Sequence, residues 1–143
     1  IKERAQSGVP ILGICLGAQL LLERGFEFGE HKGLGLIEGE VKKFPDMPKG
    51  VTIPNIGWQE VVPSVVPGAE VLFAGLSKPF LYFVHSYVFA PKNDSVLAWA
   101  TYGGYAYAAA FGEKNIFGVQ FHPEKSGPAG LALLENFVRS IKQ

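Results

Sequence analysis

Val9-Pro10-Ile11-Leu12-Gly13-Ile14 is a short apolar run that stops at Cys15, the only cysteine of the chain. Gly13 stands two residues before the thiol and Gly17 two after it, and a Leu-rich segment follows. This pattern constrains the fold more than any other stretch. The apolar run reads as a strand covered on both faces. Residues 16–24 read as a helix ended by Gly25. A reactive side chain between them sits on a strand–nucleophile–helix elbow, where glycines permit a sharp turn and expose the reactive atom. A strand of that kind implies a parallel sheet with helices on its faces.

The rest of the chain is read from periodicity and turn residues. Residues 1–8 end a helix closed by Gly8, and residues 26–35 form a glycine-rich loop. Strands are expected over residues 36–44, 51–62, 80–89, 95–102, 106–111 and 115–121, with Gly103-Gly104 and Gly112 as turns. From Gly127 a final helix is expected, with Leu131, Leu134, Val138 and Ile141 as its apolar face. No linker or repeat divides the 143 residues, so residues 1–143 read as one domain. Only one strand–helix unit precedes residue 36, where a doubly wound sheet needs several. The first residue is Ile1, not Met. Together these lead us to expect a fragment or processed product lacking the N-terminal part of its sheet.

Bulk properties narrow the function classes. With 13 basic and 13 acidic residues, the charge balance gives no support for nucleic-acid or polybasic membrane partners. An apolar fraction of 48% argues for a buried core. No apolar run reaches the roughly 20 residues that span a bilayer, and no signal-peptide pattern is visible. One cysteine excludes an internal disulfide and suits a reducing, cytoplasmic setting. Three His and one Cys show no metal-ligand spacing, so no metal is expected. The Gly33–Gly39 stretch is no dinucleotide fingerprint, since residue 38 is Glu and no βαβ context follows.

Gln120-Phe121-His122-Pro123-Glu124 stands near the other end. Brought to Cys15, His122 could accept the thiol proton and return it to a leaving amine. Glu124, two residues on, could point to the same side and hold the imidazole in one tautomer. The dipole and free N–H groups of the helix starting near Leu16 would favour the thiolate, and the Leu16 N–H could meet an oxyanion. A lone cysteine in an apolar segment can instead be a core thiol. The flanking glycines argue against that, because a plain core strand gains nothing from them. His31, in a polar loop, reads as solvated, and His85, in an aromatic strand, as structural.

The segments Gly13–Gln19 and Gln120–Glu124, in this order and separation, resemble the class I (triad) glutamine amidotransferases. Lys32–Gly39, Pro54–Gln59, Tyr82–Tyr87 and Lys125-Ser126 resemble more closely the glutaminase subunits of imidazole glycerol phosphate synthases. The resemblance implies a flavodoxin-like, mostly parallel sheet with helices on both faces and an added antiparallel region. It implies hydrolysis of glutamine to glutamate and ammonia, without a cofactor. Cys15 would form a γ-glutamyl thioester, His122 would shuttle protons and Glu124 would orient it. Gln19 would line the substrate pocket, Glu27 would receive the substrate ammonium, and the Ser86-Tyr87 backbone would meet its carboxylate. A (β/α)₈ cyclase subunit would complete a heterodimer and use the ammonia in histidine biosynthesis.

The same positions also have plainer readings. Gln19 and Glu27 could face solvent, Ser86 and Tyr87 could be ordinary strand residues, and Trp58 a core aromatic rather than an interface anchor. Lys125 is either a solvated charge or a contact to the partner. Asn55 and Gln59 depart from the family, which usually has His before the Gly-Trp pair and Asn after it. The family also places a glycine-rich oxyanion loop ahead of the segment that begins here. Losing one such donor costs roughly 3 kcal/mol of transition-state stabilisation. Other readings therefore stay open: a glutaminase of aminodeoxychorismate, anthranilate or pyridoxal phosphate synthesis, a truncated inactive partner-binding module, or a related thiol hydrolase.

Overall fold

A computed structural model describes residues 1–142. In chain order the elements are α1 (Lys2–Gln6), β1 (Ile11–Ile14), α2 (Leu16–Leu21), β2 (Arg24–Gly25), β3 (His31–Lys32) and β4 (Gly39–Lys43). There follow β5 (Asn55–Pro63), α3 (Ala69–Phe73), β6 (Phe80–His85), β7 (Tyr87–Pro91), β8 (Val96–Tyr102), β9 (Tyr105–Glu113), β10 (Ile116–Val119) and α4 (Gly127–Ile141). The strands join in the order β3-β2-β4-β7-β9-β8-β5-β6, with β10 added on β9 and β1 on β10.

The α/β class is as expected, but the balance of the sheet is not. Among the described residues, only β1–β10 and β2–β4 pair in parallel, and the other pairings are antiparallel. The reason lies in connection length. Parallel neighbours need a long crossover, whereas β8–β9 and β9–β10 are joined by tight turns at Gly103-Gly104 and Lys114-Asn115.

The parallel pair sits between two cores. Ile11 and Ile116 face one, shared with Ala5 of α1 and Ala18 and Leu21 of α2. Leu12, Ile14, Phe117 and Val119 face the other, shared with Leu72 and Phe73 of α3 and Leu133 of α4. Successive side chains of a strand alternate between faces, so an apolar run without polar interruption is what a strand between two helical layers requires. Two glycines make the layers fit. A Cβ on Gly118 would fall 2.3 Å from the Phe111 ring, and one on Gly13 would fall 2.7 Å from the Ala18 backbone nitrogen.

Several boundaries differ from the sequence reading. The helix after Cys15 stops at Leu21, and Arg24 and Gly25 lie in β2. The segment 80–89 is two strands broken at Ser86. The short α3, entered through Gly68 with φ +92°, had no periodic signal to announce it. The apolar stripe expected on α4 is the wrong one. Leu131, Val138 and Ile141 are exposed, while Gly130 and Leu133 are buried and Phe137 packs against the core. Both stripes satisfy a 3.6-residue period. The choice is made by Gly130, where a Cβ would fall 2.0 Å from the Pro123 carbonyl oxygen. The helix therefore settles with its glycine side down on the His122-Pro123 turn. Asn136 fixes its rotation by donating to the Leu72 and Ala74 carbonyls at 3.0 and 2.8 Å.

Gly13→Ala forces α2 away from β1 and should destabilise the fold by about 1–3 kcal/mol, the usual range for overpacking. Urea unfolding of the variant and the parent measures this, and an unchanged midpoint would contradict the packing described.

Candidate active site

Cys15 is the hinge between β1 and α2, and its backbone lies at φ 50°, ψ −109°. A positive φ is rare outside glycine and costs of order 1–3 kcal/mol when imposed on other residues. The surroundings enforce it. The Cys15 N–H continues the β1–β10 ladder by donating to the Val119 carbonyl at 2.8 Å, while α2 starts at the next residue. Of the two flanking glycines, Gly13 is demanded by the close approach of α2. A Cβ on Gly17 would meet nothing within 4 Å, so the turn places no steric demand there.

Because β1 and β10 run parallel, Ile14 lies opposite Val119 and the residues leaving both strands emerge at the same sheet edge. Gln120 comes first. It is fully buried in an otherwise apolar stretch, and its Nε2 lies 3.7 Å from the Cys15 sulfur. Sequence reasoning quoted this residue without giving it a role, although an amide among Phe117, Val119 and Phe121 was itself a signal.

The next turn is pinned to β6. The His122 N–H donates to the Tyr82 carbonyl at 2.9 Å. The Ser126 hydroxyl donates to the His122 carbonyl at 2.6 Å and accepts from the Tyr82 N–H at 2.9 Å. Ser126 is buried, and reading the sequence did not show it as the clamp of this turn. Two residues further along β6, the Val84 carbonyl lies 4.0 Å from the Cys15 sulfur.

His122 Nδ1 and Glu124 Oε1 are 2.7 Å apart. With Nδ1–H donating to the carboxylate, the neutral ring carries its lone pair on Nε2. That atom is buried and has no hydrogen-bond partner among the described residues. An imidazole whose Nδ1 is held by a carboxylate, leaving Nε2 without a partner, is the arrangement of a base with its orienter.

The thiol itself departs from expectation. Burial pushes the Cys15 pKa up, and the negative charges of Glu124 and Glu27 add to this. The Leu16 backbone N–H and the Gln120 amide pull the other way without winning. The short helix α2 therefore does not hold Cys15 as a resting thiolate.

A pocket of about 410 Å³ opens beside α2, lined by Leu16, Gln19, Phe26, Glu27, His31 and Val41 among others. It gathers three of the expected substrate residues, Leu16, Gln19 and Glu27. Ser86 and Tyr87 do not line it. Ser86 is the break between β6 and β7, where its carbonyl accepts from the Phe44 N–H at 3.4 Å, and Tyr87 packs on the core beneath α2. Trp58 and Lys125 are exposed.

His85 is structural, as expected, and it explains both family departures. Its Nδ1 donates to the Tyr87 carbonyl at 2.7 Å, and its Nε2 accepts from the Asn55 amide at 3.1 Å. The same amide donates to the Tyr107 hydroxyl at 3.2 Å, and the Asn55 oxygen accepts from Gln59 at 3.3 Å. Asn55 and Gln59 are thus partners in one buried network. Burial holds the His85 pKa down at about 4, against the opposing pull of the Tyr87 carbonyl that its Nδ1–H meets. Burial also pushes the Tyr107 hydroxyl well above its usual range.

With this geometry in hand, comparison with known proteins identifies the class. The family model for glutamine amidotransferase class-I matches residues 1–141, and the chain belongs to that family. Among curated relatives, it is 45% identical over 143 residues to the imidazole glycerol phosphate synthase subunit HisH of Desulfitobacterium hafniense, covering 97% of this chain and 64% of that protein. The HisH of Aquifex aeolicus is 43% identical over 143 residues, covering 100% of this chain and 67% of that protein. The HisH of Carboxydothermus hydrogenoformans is 47% identical over 136 residues, covering 95% and 65%. The chain thus spans about two thirds of the length of the curated relatives it matches. Among solved structures, a glutamine amidotransferase superposes with a TM-score of 0.67 at 19% identity, covering 99% of this chain and 66% of that one. A glutamine amidotransferase from Methylobacillus flagellatus gives 0.62 at 23% identity, covering 86% and 41%. These two likenesses show the fold.

Two pH dependences follow. The rate of Cys15 alkylation by iodoacetamide should rise with a midpoint above the roughly 8.5 of a free thiol, and a midpoint at or below that value would contradict the balance at the thiol. For His85 the folded pKa of about 4 lies below the ordinary 6.5, so the unfolded chain binds the extra proton. Stability from this group is complete above the unfolded value and is lost as pH falls toward the folded one, by about 3 kcal/mol in all. Urea unfolding at pH 7 and pH 4 should show the parent losing that much more than His85→Asn.

Proposed function

We propose that Cys15, His122 and Glu124 form the triad of a glutaminase that hydrolyses glutamine to glutamate and ammonia. What supports this reading is the parallel β1–β10 pairing, from whose ends the Cys15 turn and the His122–Glu124 turn both leave, together with a His122 Nε2 that has no hydrogen-bond partner among the described residues. His122 takes the thiol proton as the sulfur adds to the side-chain amide carbon. Activation at that moment suits a thiol that burial keeps neutral at rest. The Leu16 N–H faces the oxyanion that develops. His122 then gives its proton to the departing ammonia, leaving a γ-glutamyl thioester, and water completes the cycle with the same base. Glu124 stabilises the imidazolium between the two transfers.

Glutamine uses the pocket beside α2 for its ammonium, toward Glu27, with its chain along Gln19, and its side-chain amide leaves that pocket toward Cys15, which does not line it. The resemblance gives the substrate carboxylate to the Ser86-Tyr87 backbone, which lies outside the lining of that pocket, so glutamine reaches beyond it to meet that segment. The network through Asn55, His85 and the Tyr87 carbonyl supports that segment. The HisH relatives, at 43–47% identity, favour histidine biosynthesis over the neighbouring pathways. In this reading the protein is a cytoplasmic subunit of a heterodimer. Its ammonia passes to a (β/α)₈ cyclase, which makes imidazole glycerol phosphate and aminoimidazole carboxamide ribotide. Trp58 and Lys125 contact that subunit.

In the full-length protein mixed with its cyclase, Cys15→Ala should lower glutamine hydrolysis by about 10⁴-fold or more, as removal of a triad nucleophile does elsewhere. Glutamate release measured in a coupled assay decides this, and undiminished hydrolysis would end the proposal.

A further inference from the structure

Past Ile14 and Val119 the parallel pairing continues for one more residue on each side. The Cys15 N–H donates to the Val119 carbonyl at 2.8 Å, and the Gln120 N–H donates to the Ala109 carbonyl of β9 at 2.9 Å. Cys15 and Gln120 therefore come next in register after the Ile14–Val119 pair. Alternation fixes the side on which Gln120 lies. Leu12, Ile14, Val119 and Phe121 belong to the core shared with α3 and α4. Gly13, close to the Ala18 backbone, and Gly118, close to the Phe111 ring, lie on the opposite face. Gln120 continues that face, toward Cys15.

Packing does not call for an amide there. Gln120 is fully buried, and burial alone favours a methionine or leucine of similar size between Val119 and Phe121. Among the described residues its side chain makes one hydrogen bond, from Nε2 to the Cys15 sulfur at 3.7 Å. Its Oε1 is buried without a partner. An amide that knits a core together uses both of its ends, whereas this one is committed to a single atom.

The protonation state of that atom decides what the contact is worth. A thiol sulfur is a weak acceptor, and a hydrogen bond to an ionised acceptor is about twice as strong as one to a neutral acceptor. The contact therefore strengthens as the proton leaves. Burial opposes ionisation of the sulfur, and so do the charges of Glu124 and Glu27, while the Leu16 backbone N–H and the Gln120 amide favour it. In the proposed reaction the Leu16 N–H turns to the oxyanion, which leaves Gln120 as the side chain that serves the sulfur.

We propose that Gln120 is a catalytic residue whose Nε2–H donates to the Cys15 sulfur and stabilises the thiolate during the reaction. The S–H bond breaks with its electron pair left on sulfur and its proton on His122. The same pair returns to sulfur when the thioester C–S bond breaks, and the amide meets the charge both times. This rests on the glutaminase reading, which supplies the reaction.

The test uses the full-length protein. Iodoacetamide alkylation is followed on the Cys15 peptide by mass spectrometry from about pH 6 to about pH 10. Gln120→Met keeps the length and volume of the side chain and should raise the alkylation midpoint by about one pH unit, the tenfold worth of a hydrogen bond to a charged group. With the cyclase present, kcat/KM for glutamine should fall about tenfold, through kcat and with KM unchanged. Gln120→Asn keeps an amide but withdraws it by one methylene, and it should shift the midpoint in the same direction. Thermal melts check that both variants are folded. A structural role would lower the melting temperature and leave the midpoint in place, so an unmoved midpoint in either folded variant overturns the proposal. A midpoint that falls overturns it too, because Oε1 would then be accepting from the neutral thiol. Undiminished hydrolysis in Cys15→Ala would overturn the glutaminase reading and the role of Gln120 with it. Abolished hydrolysis in Cys15→Ala beside an unmoved midpoint in Gln120→Met overturns the role of Gln120 alone.

Discussion

Four residues of parallel pairing carry most of what this chain can do. Ile11–Ile14 and Ile116–Val119 are more than a hundred positions apart in sequence, yet their register decides which groups meet at the sheet edge. A slip of one residue would turn Leu12 and Val119 toward the wrong core and rotate Cys15 away from Gln120. The two cores prevent that slip. Each strand offers large apolar side chains to both helical layers, and Gly13 and Gly118 leave room where α2 and the Phe111 ring come closest. The packing that specifies the register is therefore also what places the thiol.

The electrostatics at Cys15 follow from the same burial. A sulfur half-covered by the sheet edge is costly to ionise, and two nearby carboxylates make it costlier. The Leu16 N–H and the Gln120 amide offset only part of this. Burial thus disfavours the thiolate at Cys15, while Nδ1 of His122 is tied to Glu124. In the proposed triad, reactivity would then depend on proton transfer within the site rather than on a standing thiolate. This limits adventitious alkylation and oxidation of an otherwise reactive group.

The parts of this arrangement that were legible in the sequence are those encoded by local chemistry. The elbow was visible because a covered strand, a thiol and a glycine stand in a row, and the His122–Glu124 pair because two residues apart is a contact distance. What escaped depended on tertiary choice. The α4 stripe was misread because Leu131, Leu134, Val138 and Ile141 match the helical period as well as the buried set does, and only Gly130 against the Pro123 carbonyl separates them. Gln120 and Ser126 were passed over because their partners, Cys15 and Tyr82, are remote in sequence. The sheet proved mostly antiparallel because the tight turns among β8, β9 and β10 leave no length for crossovers.

The two unusual residues on β5 show how one strand can serve two purposes. Its inner face carries Asn55 and Gln59, which saturate a buried polar network with His85 and Tyr107. An unsatisfied member there would cost about 1–3 kcal/mol, so a change at one position is tolerated when its neighbour changes to match. Gln59 has the extra methylene that lets its amide reach the Asn55 oxygen, and Asn55 has the second donor that serves Tyr107. The outer face, one residue out of phase, carries Trp58 and Glu60. A two-residue period keeps these faces independent in sequence while the backbone couples them rigidly. Any shift of Trp58 along the strand must move Asn55, and through His85 it reaches the Tyr87 carbonyl at the start of β7.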